Sequence, residues 1–235
     1  MKIKFKGLEK EFENETTIKE IAKSFSAEFE KTAVCGKINN KLIDLNVKIN
    51  SDCEIEIITK KSPEYQDVLK HSASHILSQA VKTVFPTVKC WVATINENGF
   101  YYDFDFKTPI TNDDLSVIED EMNKIIKANF EITRKEISKK EALEIMKEVN
   151  EPYKVELIES FPDDKNIILY SQGDYVDVCT GPHVKSTSKI KAFKLTKLSG
   201  AYLQDDKNRK MLTRIYGVVF DKKSEMEEYF KNLEA

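Results

Sequence analysis

Lys70-His71-Ser72-Ala73-Ser74-His75-Ile76-Leu77 is the stretch from which the rest of the chain is read. It lies between Ser62-Pro63-Glu64 and Pro86, where Leu69, Ala73, Ile76, Leu77, Ala80 and Val84 recur at helical spacing. The pattern predicts a helix with Ser62 as N-cap and Pro63 at its first position, running to about Phe85. Val68, His71, His75, Ser78 and Lys82 share an adjacent face of that helix. The two histidines therefore stand one turn apart at the edge of the apolar stripe, where a pocket wall would be.

The chain has only three histidines, and the third is His183 in Val178-Cys179-Thr180-Gly181-Pro182-His183-Val184. His-x-x-x-His and Cys-x-x-x-His together offer His71, His75, Cys179 and His183 as one candidate site. Cysteine and histidine are preferred zinc ligands, so these four would suit a metal. They would equally suit a polar pocket that binds and hydrolyses a ligand without one, and spacing alone leaves both open.

Composition sets the class. With 235 residues, 40% apolar and 33% charged, the chain is long enough for one large or two modest domains with real cores. No apolar stretch reaches the roughly 18 residues of a membrane span, and Met-Lys-Ile-Lys-Phe-Lys lacks the apolar run of a signal peptide, so a cytoplasmic location is expected. The four cysteines, at 35, 53, 90 and 179, include no Cys-x-x-Cys pair, and reduced thiols are expected. Net charge is −3, yet Lys185–Arg214 holds nine basic residues against Asp205 and Asp206, a local +7 that leaves −10 elsewhere. Such a run is either a solvated face or a track for a phosphate backbone, with Lys191, Lys194, Lys197 and Arg209 the candidate contacts.

Residues 1–61 read as one unit. Ile3 and Phe5 alternate with lysines as a half-buried strand does, Thr17-Ile18-Lys19-Glu20 is a capping box, and Asn39-Asn40 separates two strand runs as a hairpin turn. Glu54–Ile58 adds a final strand, and the set fits a small ubiquitin-like β-grasp domain. Beyond it, strands around Asn98-Gly99 are predicted to join through a tight turn in which both residues tolerate positive φ. The rings of Phe100–Phe106 read as core more than as a base-stacking platform, with Tyr102 able to face the site. A helix over about 113–129, a strand over 130–137, a helix opened by the capping box Ser138–Glu141, and strands at 167–170, 175–178, 191–198 and 211–220 complete the pattern. Irregular alternation of this kind predicts an α+β fold with a mainly antiparallel sheet. There is no internal repeat and no Gly-rich phosphate loop.

Four blocks carry a resemblance. His71–Leu77, Asn98-Gly99-Phe100-Tyr101-Tyr102-Asp103, Tyr175–Val184, and Ser199–Tyr202 through Arg214-Ile215-Tyr216-Gly217 resemble, in order and spacing, the N-terminal half of bacterial-type threonyl-tRNA synthetases. The resemblance implies a TGS-like β-grasp domain at 1–61, an editing domain at 62–222 and the start of a linker helix at 223–235. It also implies an N-terminal fragment whose aminoacylation core, with its ATP, magnesium and zinc, lies outside these residues. Homodimerisation would belong to that core, leaving the fragment a monomer that cannot activate threonine.

What the resemblance further implies is hydrolysis of mischarged Ser-tRNA(Thr), with tRNA(Thr) as partner and no cofactor required for editing, zinc staying open. Carried over position by position, His71, Lys154 and Asp177 would be catalytic, and His75, Cys179, His183 and Tyr102 would bind substrate. His71 would position or deprotonate water, Lys154 would hold a hydroxyl or share that task, and Asp177 would take the ammonium or orient a histidine. Ser74 and Thr180 depart from the usual family spelling, and the departure at Thr180, a position often basic in relatives, touches a phosphate contact rather than hydrolysis. The rival readings are a zinc-dependent alanyl-type deacylase, which shares the His and Cys spacing, and a non-enzymatic RNA-binding module.

Overall fold

The computed structural model describes all 235 residues, Met1–Ala235. They form two compact units, Met1–Val68 with Gly181–Val184, and Leu69–Thr180 with Lys185–Ala235. The division after Val68 lies past the expected 61/62 boundary, and local bonding explains it. Lys37 Nζ binds Glu64 Oε1 at 3.0 Å, and Ser62 Oγ accepts from the Thr59 amide at 3.0 Å, so residues 59–64 are tied back to the first unit.

In the first unit β1 (Lys2–Phe5) pairs antiparallel with β2 (Leu8–Glu11). There follow β3 (Thr16–Thr17), α1 (Ile18–Phe25), a short α2 (Phe29–Thr32), the hairpin β4 (Cys35–Ile38) and β5 (Lys41–Asp44), β6 (Lys48–Ile49), β7 (Cys53–Glu54) and β8 (Glu56–Ile58). β1 pairs parallel with β7, and β4 antiparallel with β8. Thr17 Oγ1 accepts from the Glu20 amide at 3.2 Å, which is the cap read from sequence. Asn39 and Asn40 take φ of 51° and 64°, as a two-residue hairpin turn requires. Ile3, Ile18, Ile21 and Ile55 are almost fully buried between helix and strands. This is the β-grasp arrangement.

The second unit takes up most of α3 (Tyr65–Val84). The expected cap at Ser62 is not formed, since its hydroxyl serves the turn, and the helix starts at Tyr65. Nor does the helix bury a single stripe: from Val68 to Val81 every residue but His71 is buried. Enclosure is tolerated because many of its polar side chains are small and bond locally, as Ser74 Oγ does to the His71 carbonyl at 2.6 Å.

After α3 come β9 (Lys89–Ile95), β10 (Phe100–Asp105), α4 (Asp114–Ala128), β11 (Thr133–Ile137), α5 (Lys139–Glu148), α6 (Pro152–Glu159), β12 (Ile167–Gln172), β13 (Tyr175–Val178), β14 (Ala192–Tyr202), β15 (Met211–Phe220) and α7 (Lys223–Glu234). They make two antiparallel sheets, in the orders β14-β15-β10-β9 and β11-β12-β13. The fold is α+β. Phe100, Tyr102 and Phe104 are buried, while Tyr101 stays half-buried with Arg214 4.0 Å above its ring.

The turn before β10 differs from the sequence expectation. Asn96 Oδ1 accepts from the amides of Asn98 and Gly99, both at 2.9 Å, and neither of those two residues has positive φ. Glycine at 99 answers a close approach instead, because a Cβ there would lie 2.1 Å from the Gly217 carbonyl oxygen.

Candidate active site

A cleft of about 300 Å³ in the second unit is lined by His71 and His75 from α3, Lys154 from α6, and Asp177 and Cys179 from β13 and the residue after it. Each element arrives for a local reason. α3 presents His71 and His75 together because they are four residues apart. β13 holds Tyr175 and Asp177 on one face because they are two apart. Pro152 at the first turn starts α6, and Glu151 anchors that end. Glu151 is buried, its Oε2 accepts from the Cys90 amide at 3.1 Å, and its Oε1 lies 3.7 Å from Lys82. Burial pushes its carboxyl up.

Asp177 is the centre of the site. Its Oδ1 accepts from Lys154 Nζ at 2.7 Å and from the Val178 amide at 2.8 Å. Its Oδ2 accepts from the hydroxyls of Tyr102 at 2.7 Å and Tyr175 at 2.8 Å, and lies 3.7 Å from His75 Nε2. Asp177 and Lys154 are each 2% exposed, so this is a fully desolvated ion pair. Burial by itself would raise the carboxyl, but the Lys154 charge, His75 and the hydrogen bonds outweigh it and hold the pKa at about 2.

His75 is driven the other way. Burial lowers it to about 4, with Asp177 opposing and Lys154 and His71 adding to the shift. At neutral pH its imidazole is uncharged. Tyr102 and Tyr175 are pushed well above the usual phenol range, first by burial and then by the adjacent carboxylate, so both remain proton donors.

The residues expected from sequence are thus distributed as follows. His71, His75, Lys154, Asp177 and Cys179 meet at the cleft. His183 is buried and belongs to the first unit. Tyr102 does not reach the cleft wall: it is fully buried, its hydroxyl bonds Asp177, and its ring lies 5.2 Å from Lys154 Nζ. Sequence reading missed Tyr175 and Glu151. The only signal for Tyr175 was its i, i+2 relation to Asp177, which places two polar tips on one strand face.

The donor set can be tested against zinc. Ligand atoms of His75 and Cys179 lie within 4.8 Å of each other. The nearby carboxylate, however, is already neutralised by an ammonium at 2.7 Å, and that cation repels a dication placed beside it. No chemical step is routed through a metal.

The basic run is less concentrated than its sequence suggests. Lys194 pairs with Glu119 at 3.1 Å, Lys210 with Asp105 at 2.9 Å, and Arg214 with Asp103 at 2.8 Å. Arg209 forks onto Glu156 of α6 at 2.6 and 2.9 Å, and Lys197 sits 4.5 Å over the Tyr216 ring. Lys191 is exposed on the approach to β14.

Residues 5–59 match the TGS domain family, and residues 167–216 match the threonyl and alanyl tRNA synthetase second additional domain. Over 228 residues, 97% of the chain, the sequence is 49% identical to a threonine–tRNA ligase of Caldanaerobacter subterraneus subsp. tengcongensis. Over the same length it is 46% identical to that of Geobacillus kaustophilus and 42% identical to that of Hahella chejuensis. The chain spans about a third of these relatives, 35% of the first two and 36% of the last. No helix is long and apolar enough to cross a membrane.

Proposed function

Starting from a chain that carries the TGS and second additional domains and is related over nearly its whole length to threonine–tRNA ligases, we propose that its cleft hydrolyses mischarged Ser-tRNA(Thr). The observation that carries this reading is the buried Lys154–Asp177 pair opening onto a cleft that also holds His71 and His75. Burying two charges is expensive, and pairs of this kind cluster at sites where they do chemistry or fix a neighbour.

Serine lacks one methyl group of threonine, and a difference of that size gives only about 1–3 kcal/mol of discrimination in a single pocket. A second pocket that destroys the seryl ester supplies the rest. The reaction needs water delivered to the ester carbonyl and a positive group for the developing oxyanion. His71, half-buried at the cleft, takes the water proton. Lys154 donates to the oxyanion or the seryl hydroxyl, held in place by Asp177. His75 is neutral and acts as a wall and hydrogen-bonding group rather than a cation, and Cys179 completes the wall beside it. The extra methyl of threonine is excluded by that wall.

Hydrolysis proceeds by direct water attack: the water oxygen bonds to the ester carbon, the bond from that carbon to the terminal ribose oxygen breaks, and the ribose oxygen leaves as a hydroxyl with the proton His71 took, without a seryl-thioester on Cys179 and without a metal. In a longer protein, threonine activation with ATP, magnesium and zinc would belong to residues outside this chain. tRNA(Thr) is the partner proposed for the chain itself.

The test is incubation of the purified chain with Ser-tRNA(Thr), Thr-tRNA(Thr) and Ala-tRNA, following release of each amino acid, with zinc measured by elemental analysis. Loss of the seryl ester alone, unaffected by chelator, is the expected result. Chelator-sensitive loss of alanine with stoichiometric zinc would move the chain to the alanyl-type deacylases, and binding without turnover would leave an RNA-binding module.

A further inference from the structure

This inference rests on the hydrolytic reading, in which Lys154 is the positive group at the cleft. We propose that Tyr175, together with Tyr102, is a positioning residue for that hydrolysis: the two phenols fill Asp177 Oδ2, so that the carboxylate holds Lys154 through Oδ1 at one fixed point.

The geometry is a saturated carboxylate. An ionised Asp has about four acceptor directions, two on each oxygen. Here Oδ2 takes the hydroxyls of Tyr102 and Tyr175 at 2.7 and 2.8 Å, and Oδ1 takes Lys154 Nζ and the Val178 amide at 2.7 and 2.8 Å. These donors come from β10, from β13 itself and from α6. Three elements are thereby pinned to one side chain. His75 Nε2, at 3.7 Å from Oδ2, stands beyond hydrogen-bond range of an oxygen that is already doubly engaged.

Neither phenol lines the cleft, and both hydroxyls are bound to Asp177, so both act through that carboxylate. The Tyr102 ring adds a second restraint, since Lys154 Nζ lies 5.2 Å from its centroid, where the ring quadrupole attracts a cation. A saturated Asp177 also has no free direction for the ammonium of the seryl group. The carboxylate serves the lysine, not the substrate amine.

The experiment uses the full chain with Tyr175→Phe, with Tyr102→Phe as the second variant should the first melt low. Removing one hydroxyl should lower kcat for Ser-tRNA(Thr) about tenfold, the order of one hydrogen bond to a charged group, with KM unchanged. In a Lys154→Ala background the same substitution should cost nothing further, because its route to the reaction is gone. An independent readout is the Lys154 ammonium signal in nitrogen NMR, which should broaden in Tyr175→Phe as the ammonium loosens and its protons exchange faster.

An unchanged kcat with an unchanged ammonium signal would overturn the proposal. So would an equal loss in the Lys154→Ala background, or a tighter KM, which would mean that the freed lone pair had received the substrate ammonium. If the wild-type chain hydrolyses nothing, the hydrolytic reading fails by itself, and the positioning of Lys154 still stands or falls on the NMR signal.

Discussion

The first unit buries a single polar side chain, His183 from its Gly181–Val184 segment, whereas the second unit buries Lys70, Asp103, Glu151, Lys154, Asp177 and a further set of serines, glutamines, His75 and Thr187. The first unit is an apolar core of Ile3, Ile18, Ile21 and Ile55 with its charges outside, which is the arrangement of lowest desolvation cost. The second places ionised groups where water cannot compensate them. Stability alone does not ask for this, since well-packed apolar residues in place of a buried ion pair are often as stable or more so. The contrast supports the proposed site: the unit that accepts the cost of buried charge is the one with the cleft.

The contrast can be broken most forcefully at Lys154. Lys154→Ala leaves Asp177 buried without its cation, and should destabilise the second unit by about 3–5 kcal/mol. It should also lower the deacylation rate by the roughly 10²–10⁴-fold of a lost catalytic group. The matching change in the first unit, Lys37→Ala, removes the partly exposed partner of Glu64 and should leave both melting temperature and rate near wild type. Denaturant melts and single-turnover assays on the two variants measure the contrast directly. Comparable losses in both would dissolve it.

Tight packing gives a second, smaller effect. Gly99→Ala drives a methyl toward the Gly217 carbonyl and should cost about 1–3 kcal/mol through strand displacement. A melting temperature equal to wild type would show that the turn gives way freely.

A third test uses pH. Because the folded His75 sits near 4 and an unfolded one near 6.5, the unfolded state binds the extra proton between those values. Stability contributed by His75 is therefore present above pH 6.5 and declines as pH falls toward 4. Asp177, held near 2 against 3.8, contributes stability that is present above 3.8 and lost only as pH falls through 2. Urea melts across pH 4–7 should show the decline, and His75→Gln should flatten it. An unaltered profile in that variant would move the decline to other groups.

The smallest effect is expected at the basic run. Lys191→Ala with Lys194→Ala should weaken tRNA binding and flatten its salt dependence if these lysines release counterions. Since Lys194 already pairs with Glu119, most of that change should come from Lys191. A salt slope identical to wild type would assign both to a solvated face.

The sequence by itself determined what depends on neighbours a few residues apart. The Thr17 and Ser138 caps, the Asn39-Asn40 hairpin and the shared face of His71 and His75 are all bonds or spacings within one turn of chain. They could be read because backbone geometry carries them. The α+β class followed from the same local patterns, whereas Lys154 and Asp177 read as surface charges on the residues alone and stood out only through the family resemblance.

What only the tertiary structure decided lies at long separation. Tyr102 meets Asp177 across 75 residues and Glu151 meets Cys90 across 61, pairings that no periodicity encodes. Enclosure of α3 on all sides, the role of Asn96 in the turn and the closeness of Gly99 to Gly217 depend equally on which strands lie beside which. A carboxylate's four acceptors are filled by whatever the fold brings within 3 Å of it, and at Asp177 the fold brings a lysine, an amide and two phenols.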